Sequence, residues 1–125
     1  MIESPYLHIA MNKQYADADL PVRVGLVGCG DVSDAYCRAN QHFKVFEIVA
    51  CTDIVPERAA DKAREYGFEH CALMDEFLVR KDIEVILNLT PPQAHASVAL
   101  SALKAGKHVY SEKPLAVSLV DAQRL

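Results

Sequence analysis

From Pro21 onward, short β-rich runs alternate with stretches in which apolar positions recur at helical spacing. Val22-Arg23-Val24-Gly25-Leu26-Val27 is β-rich and stops at a glycine, which predicts a first strand. Residues 31–41 set Val32, Ala35, Tyr36 and Ala39 on one side of a helix, the side expected to face the core. Phe46 to Cys51 reads as a second strand, stopped by the polar pair Thr52-Asp53. Pro56 opens a second helix where its missing N–H costs nothing, and Gly67 closes it. A short strand is expected near residues 68–72 and a short helix over residues 74–80. Ile83 to Leu89 is nearly apolar throughout, as in a strand covered on both faces, and Pro91-Pro92 breaks it. An Ala- and Leu-rich helix follows over residues 93–105, then a fifth strand over residues 107–111 and a last helix from near Ser118.

Strands separated by helices imply a parallel sheet with right-handed crossovers, hence an α/β, doubly wound, Rossmann-type fold with the first strand central. Such a sheet calls for a sixth strand, and five are found, so the fifth is expected as a bare edge. The expectation is therefore one Rossmann-type domain over residues 21–125 that stops before its last strand. Residues 1–20 have weak periodicity and neither the basic start nor the apolar centre of a signal peptide; they read as an N-terminal extension.

Composition narrows the partners. Apolar residues make up 51% of the chain, enough for a core, and Trp is absent. A formal net charge of −4, with positive residues scattered rather than striped, argues against nucleic acid. No apolar run approaches the roughly 20 residues that cross a bilayer. Cys29, Cys37, Cys51 and Cys71 form no CxxC and no metal-type pairing, and Cys29 and Cys51 sit in apolar stretches that suit buried thiols. A reducing, cytoplasmic setting follows. His8, His42, His70 and His108 have no metal-site spacing, so no metal is expected.

The chemistry lies at predicted strand ends. Gly28-Cys29-Gly30-Asp31-Val32-Ser33 joins the first strand to the first helix. Gly28 permits a tight turn, Gly30 lets a pyrophosphate approach the backbone, and Ser33 is small enough for close helix–strand contact. The helix start adds free N–H groups and the positive end of a dipole. Asp53 ends the second strand about twenty residues on, where an acid can accept from both ribose hydroxyls and would repel a 2′-phosphate, favouring NAD over NADP. Arg58 works against that preference. Asn88 and Thr90 either line the nicotinamide ribose or simply end the fourth strand. His95 either faces the cleft or is an ordinary surface histidine. Lys113, after the fifth strand, is suited to proton transfer or to bonding a hydroxyl; the alternative is a surface ion pair with Glu112.

The stretches GLVGCGDVSDAY, CTDIVPERA, NLTPPQAH and ALKAGKHVYSEKPLA together resemble the Gfo/Idh/MocA family of NAD(P)-dependent oxidoreductases, from about Val22 to the last residue. The resemblance implies a two-domain enzyme moving a hydride between nicotinamide and a sugar, polyol or cyclitol hydroxyl or carbonyl, with the substrate held mostly by the absent domain. It implies that Gly28, Gly30, Asp31 and Val32 hold the pyrophosphate and Asp53 the adenosine ribose. Thr90, Pro92 and His95 would line the nicotinamide side, Glu112 would close it, and Lys113 would be the catalytic lysine as well as a cofactor contact. The family's other acid or base belongs to the second domain, so this chain alone is expected to be inactive. Homo-oligomers are implied to form through the missing sheet. A non-catalytic dinucleotide-sensing module is the alternative, against which the lysine counts; a methyltransferase fits neither Pro91-Pro92 nor Glu112-Lys113-Pro114.

Overall fold

The computed structural model describes residues 21–125, and the proposed extension over residues 1–20 lies outside them. The elements run β1 (Val22–Val27), α1 (Asp31–His42), β2 (Phe46–Thr52), α2 (Pro56–Tyr66), β3 (Glu69–His70), α3 (Met74–Leu78), β4 (Val85–Asn88), α4 (Pro92–Lys104), β5 (His108–Ser111) and α5 (Leu119–Arg124). The strands form one parallel sheet in the order β3-β2-β1-β4-β5. β1 is central, as a doubly wound sheet requires, and β5 is an edge strand among the described residues.

Alternation along the strands divides the core between the two faces of the sheet. Leu26, Cys51 and Leu87 pack in one cluster with Cys37 of α1 and with Ala59 and Ala63 of α2. Their chain neighbours Val27, Ala50 and Ile86 pack in the other with Phe77 and Leu78 of α3 and Ala102 of α4. Leu26, Ile86 and Phe77 are wholly buried, and each such side chain contributes about 1.5–3 kcal/mol. The small residues of α2 and α4 let both helices lie close on the sheet. At the end of α2, Gly67 adopts the left-handed conformation (φ 81°) and its N–H donates to the Ala63 carbonyl at 2.8 Å.

Four expectations change. The face α1 turns to the core is not Val32, Ala35, Tyr36 and Ala39: Ser33 and Cys37 are buried, Tyr36 and Ala39 are half-buried, and Val32 and Ala35 are exposed. The glycine loop sets the rotation of the helix, and at its first turn only a small side chain fits beneath, whatever its polarity. β3 is only two residues long, because it pairs with β2 alone. β4 is confined to Val85–Asn88, the four positions that pair with β1 and β5, while Ile83 is buried just before it. α3 ends at Leu78 rather than at residue 80. Among the described residues all four cysteines are free, and no helix is long and apolar enough to cross a membrane.

Candidate functional site

Because the strands are parallel, the segments that follow β1, β2, β4 and β5 gather at one edge of the sheet, where ligands bind in folds of this kind. Gly28 leaves β1 at φ 95°, and a Cβ added there would lie 2.7 Å from the carbonyl carbon and oxygen of Leu89. Its N–H donates to the Thr52 carbonyl at 3.0 Å, which binds the loop to β2. Gly30, by contrast, faces open space: an added Cβ would meet nothing within 4 Å. It caps α1 without any side-chain hydrogen bond, leaving first-turn N–H groups of Asp31 and Val32 for a ligand. Ser33, wholly buried, donates its hydroxyl to the Gly30 carbonyl at 2.5 Å and fixes the turn from below.

Asp53 is held beside this loop. One carboxylate oxygen accepts from the Cys29 N–H at 2.7 Å and the other from the Val55 N–H at 2.8 Å. A carboxylate offers about four acceptor positions, so two of them stay available. The Cys29 thiol lies beneath: its hydrogen bonding with Cys51 and its burial both raise its pKa far above the usual thiol range. It is a core thiol and not a nucleophile. Beyond Gly30 and Asp31 a recess of about 440 Å³ opens against Arg58, Asp61, Lys62 and Glu65 of α2. Lys62 is tied to Asp34 of α1 by an ion pair that clamps the two helices together. The contact from Lys62 holds the Asp34 carboxyl below its usual range.

The segments after β4 and β5 are sewn together by buried polar groups. Asn88, fully buried, donates to the His95 carbonyl at 3.0 Å and to the Ser111 hydroxyl at 3.3 Å, and accepts from the Thr90 hydroxyl at 2.6 Å. The Asn88 amide is thus spent on neighbouring segments. His95 is 1% exposed, and its ring nitrogens lie 2.6 Å from the Thr90 carbonyl and 2.5 Å from the Pro114 carbonyl. It is thus not an ordinary surface histidine, and its ring bridges the two loops. Thr90 and Pro92 stand at the start of α4 beside it.

Lys113 is exposed and forms no ion pair among the described residues, so the surface pair with Glu112 is absent. Glu112 bonds elsewhere: it accepts from the Tyr36 hydroxyl at 2.5 Å. That bond holds the Glu112 carboxyl below its usual range and pushes Tyr36 up to about 12. Helical spacing assigns Tyr36 a packing role only. Its partner lies 76 positions away, and no local pattern announces a contact of that separation.

A family model described as an oxidoreductase family with an NAD-binding Rossmann fold, Gfo/Idh/MocA, matches residues 22–125. The chain belongs to this family. Like other Gfo/Idh/MocA members, it carries an NAD(P)-binding Rossmann domain. It is 38% identical over 114 residues to inositol 2-dehydrogenase of Salmonella typhimurium, covering 85% of this chain and 32% of that protein. It is 35% identical over 103 residues to 4-carboxy-2-hydroxymuconate-6-semialdehyde dehydrogenase of a Sphingobium species, covering 82% and 33%. Among solved structures it is similar to a 3-ketoreductase of Actinomadura kijaniata in complex with NADP and TDP-benzene, with a TM-score of 0.78, 31% identity, and 83% of this chain and 32% of that one covered. The chain therefore spans about a third of the length of the relatives it matches.

Proposed function

We propose that this chain is the cofactor-holding part of an enzyme that moves a hydride between nicotinamide and a hydroxyl or carbonyl of a sugar, polyol or cyclitol. The observation that carries the reading is the contrast between two glycines in one loop. Gly28 is packed against Leu89, while Gly30 opens onto space at the uncapped start of α1. A pyrophosphate fits that opening, because backbone N–H groups can reach it and no side chain intervenes. In this reading Asp31 and Val32 donate from the backbone, Asp53 accepts from the adenosine ribose, and Thr90, Pro92 and Glu112 border the nicotinamide. His95 supports that border from beneath.

When bound, the cofactor supplies the hydride acceptor or donor. The chain supplies Lys113, exposed on the same edge of the sheet, which exchanges a proton or hydrogen bond with the reacting oxygen. Hydride transfer also needs the substrate carbon held in an aligned pose, and residues 21–125 offer one wall of such a site. The chain on its own is accordingly expected to bind cofactor without turnover, the rest of the site coming from a further domain whose sheet also mediates homo-oligomer formation. The similarity to a cyclitol dehydrogenase supports the substrate class, and four free thiols fit a reducing cytoplasm.

NAD is the preferred cofactor. Asp53 places a negative charge where a 2′-phosphate would lie, and Asp61 and Glu65 line the recess that Arg58 shares. Asp53 also braces the Cys29 and Val55 backbone, so truncation alone would confound binding with folding. Asp53→Ala is expected to weaken NADH binding about tenfold or more and to narrow the gap to NADPH. Asp53→Asn, which keeps an acceptor for the loop, should narrow the gap with a smaller loss of stability. Calorimetric titration of each variant with both cofactors checks this. Unchanged NADH affinity in both variants would remove Asp53 from the site.

A further inference from the structure

We propose that Tyr36 is a positioning residue for the nicotinamide half of the cofactor site, acting through Glu112. The proposal deepens the dinucleotide reading above and rests on it. The Tyr36 hydroxyl donates to one Glu112 carboxylate oxygen at 2.5 Å, and the Lys113 N–H lies 3.3 Å from the other. The Glu112 N–H donates to the Asn88 carbonyl at 3.1 Å, which fixes the backbone and leaves the side chain free to turn. Tyr36 is therefore the one residue from outside the β5 segment that hydrogen-bonds this carboxylate among the described residues.

The support behind Tyr36 comes from the core. Its ring packs against the cluster built on Leu26, Cys37 and Leu87, and it borders an apolar groove with Val24, Ala39 and Tyr110. It also stands on α1, about 7.5 Å along the axis from Asp31 at the phosphate end. One helix thus carries both the pyrophosphate cradle and the hold on the carboxylate across the cleft. The charged and titratable groups around the carboxylate are Tyr36 from α1, Lys113 from its own loop and His95 from α4, with Tyr110 of β5 near the phenol. Tyr36 lies well above neutrality and Glu112 below the usual carboxylate range, so the pair stays phenol and carboxylate through physiological pH. With two of its acceptor positions used, the carboxylate keeps capacity for a carboxamide N–H or for the charge of an oxidised ring.

The test compares NADH with ADP-ribose, which has the adenosine, pyrophosphate and second ribose but no nicotinamide. Tyr36→Phe, which removes one oxygen and keeps the ring, is expected to weaken NADH about tenfold while ADP-ribose changes by less than about twofold. The ¹³C carboxyl titration of Glu112 should move up at the same time. Glu112→Gln, a change at a half-buried loop position that keeps the side chain's shape, should reproduce the NADH-specific loss, and Tyr36→Phe added to it should weaken NADH no further. Equal weakening of both ligands, additive losses in the double variant, or no change in NADH affinity would each overturn the proposal. If the parent chain binds both ligands and only Tyr36→Phe disappoints, the dinucleotide reading stands. If the parent binds neither, that reading fails and takes this proposal with it.

Discussion

Gly30→Ala is expected to cut NADH affinity by at least about a hundredfold while leaving the chain as stable as before or slightly more so, whereas Gly28→Ala should destabilise it strongly. The two glycines sit two positions apart and look alike in the sequence, but their surroundings differ. Gly30 has φ −78° and ψ −168°, which alanine adopts without strain, and its added methyl would touch nothing within 4 Å. Replacing glycine at such a position stabilises by about 0.4–1 kcal/mol through the unfolded state. The same methyl would occupy the space a pyrophosphate needs against the first-turn N–H groups of α1, so the loss falls on binding. At Gly28 the backbone is in the left-handed half of conformational space (φ 95°) and the methyl would lie 2.7 Å from the Leu89 backbone. Strain and overlap together cost about 3 kcal/mol or more, a large share of the stability of so small a domain. Urea unfolding and calorimetry on the two variants check this; a Gly30→Ala chain that binds NADH like its parent would move the pyrophosphate elsewhere.

Lys113→Ala in the full-length protein is expected to lower turnover by about 10²–10⁴-fold, the range for loss of a positioned acid or base, with cofactor affinity within about threefold. Lys113 is exposed and holds no ion pair among the described residues, so its removal should leave stability unchanged. A fall in turnover without a fall in melting temperature therefore reads as chemistry. Turnover equal to the parent's would return Lys113 to the surface and favour a sensing role for the domain.

Much of the fold could be read from local signals. Pro56 and Gly67 bracket α2 as expected because each acts through its own backbone: one lacks an N–H where none is needed, and the other takes a left-handed angle. The central place of β1 follows from the doubly wound pattern, and the glycine loop and Asp53 meet because successive parallel strands end at one edge. Residues whose roles are set by distant partners were harder to read. Asn88 and His95 carried no periodic signal for their strut role, since their partners lie on segments that only the folded sheet brings together. The core face of α1 departs from its apolar spacing, which ranks Val32 and Ala35 above Ser33, because the close contact beneath the glycine loop selects for size.

Calorimetric titration of this chain with NADH and, separately, NADPH tests the cofactor site most directly. Saturable one-site binding of NADH is expected, tighter than that of NADPH because of Asp53. Absence of binding to either, or a clear preference for NADPH, would contradict it.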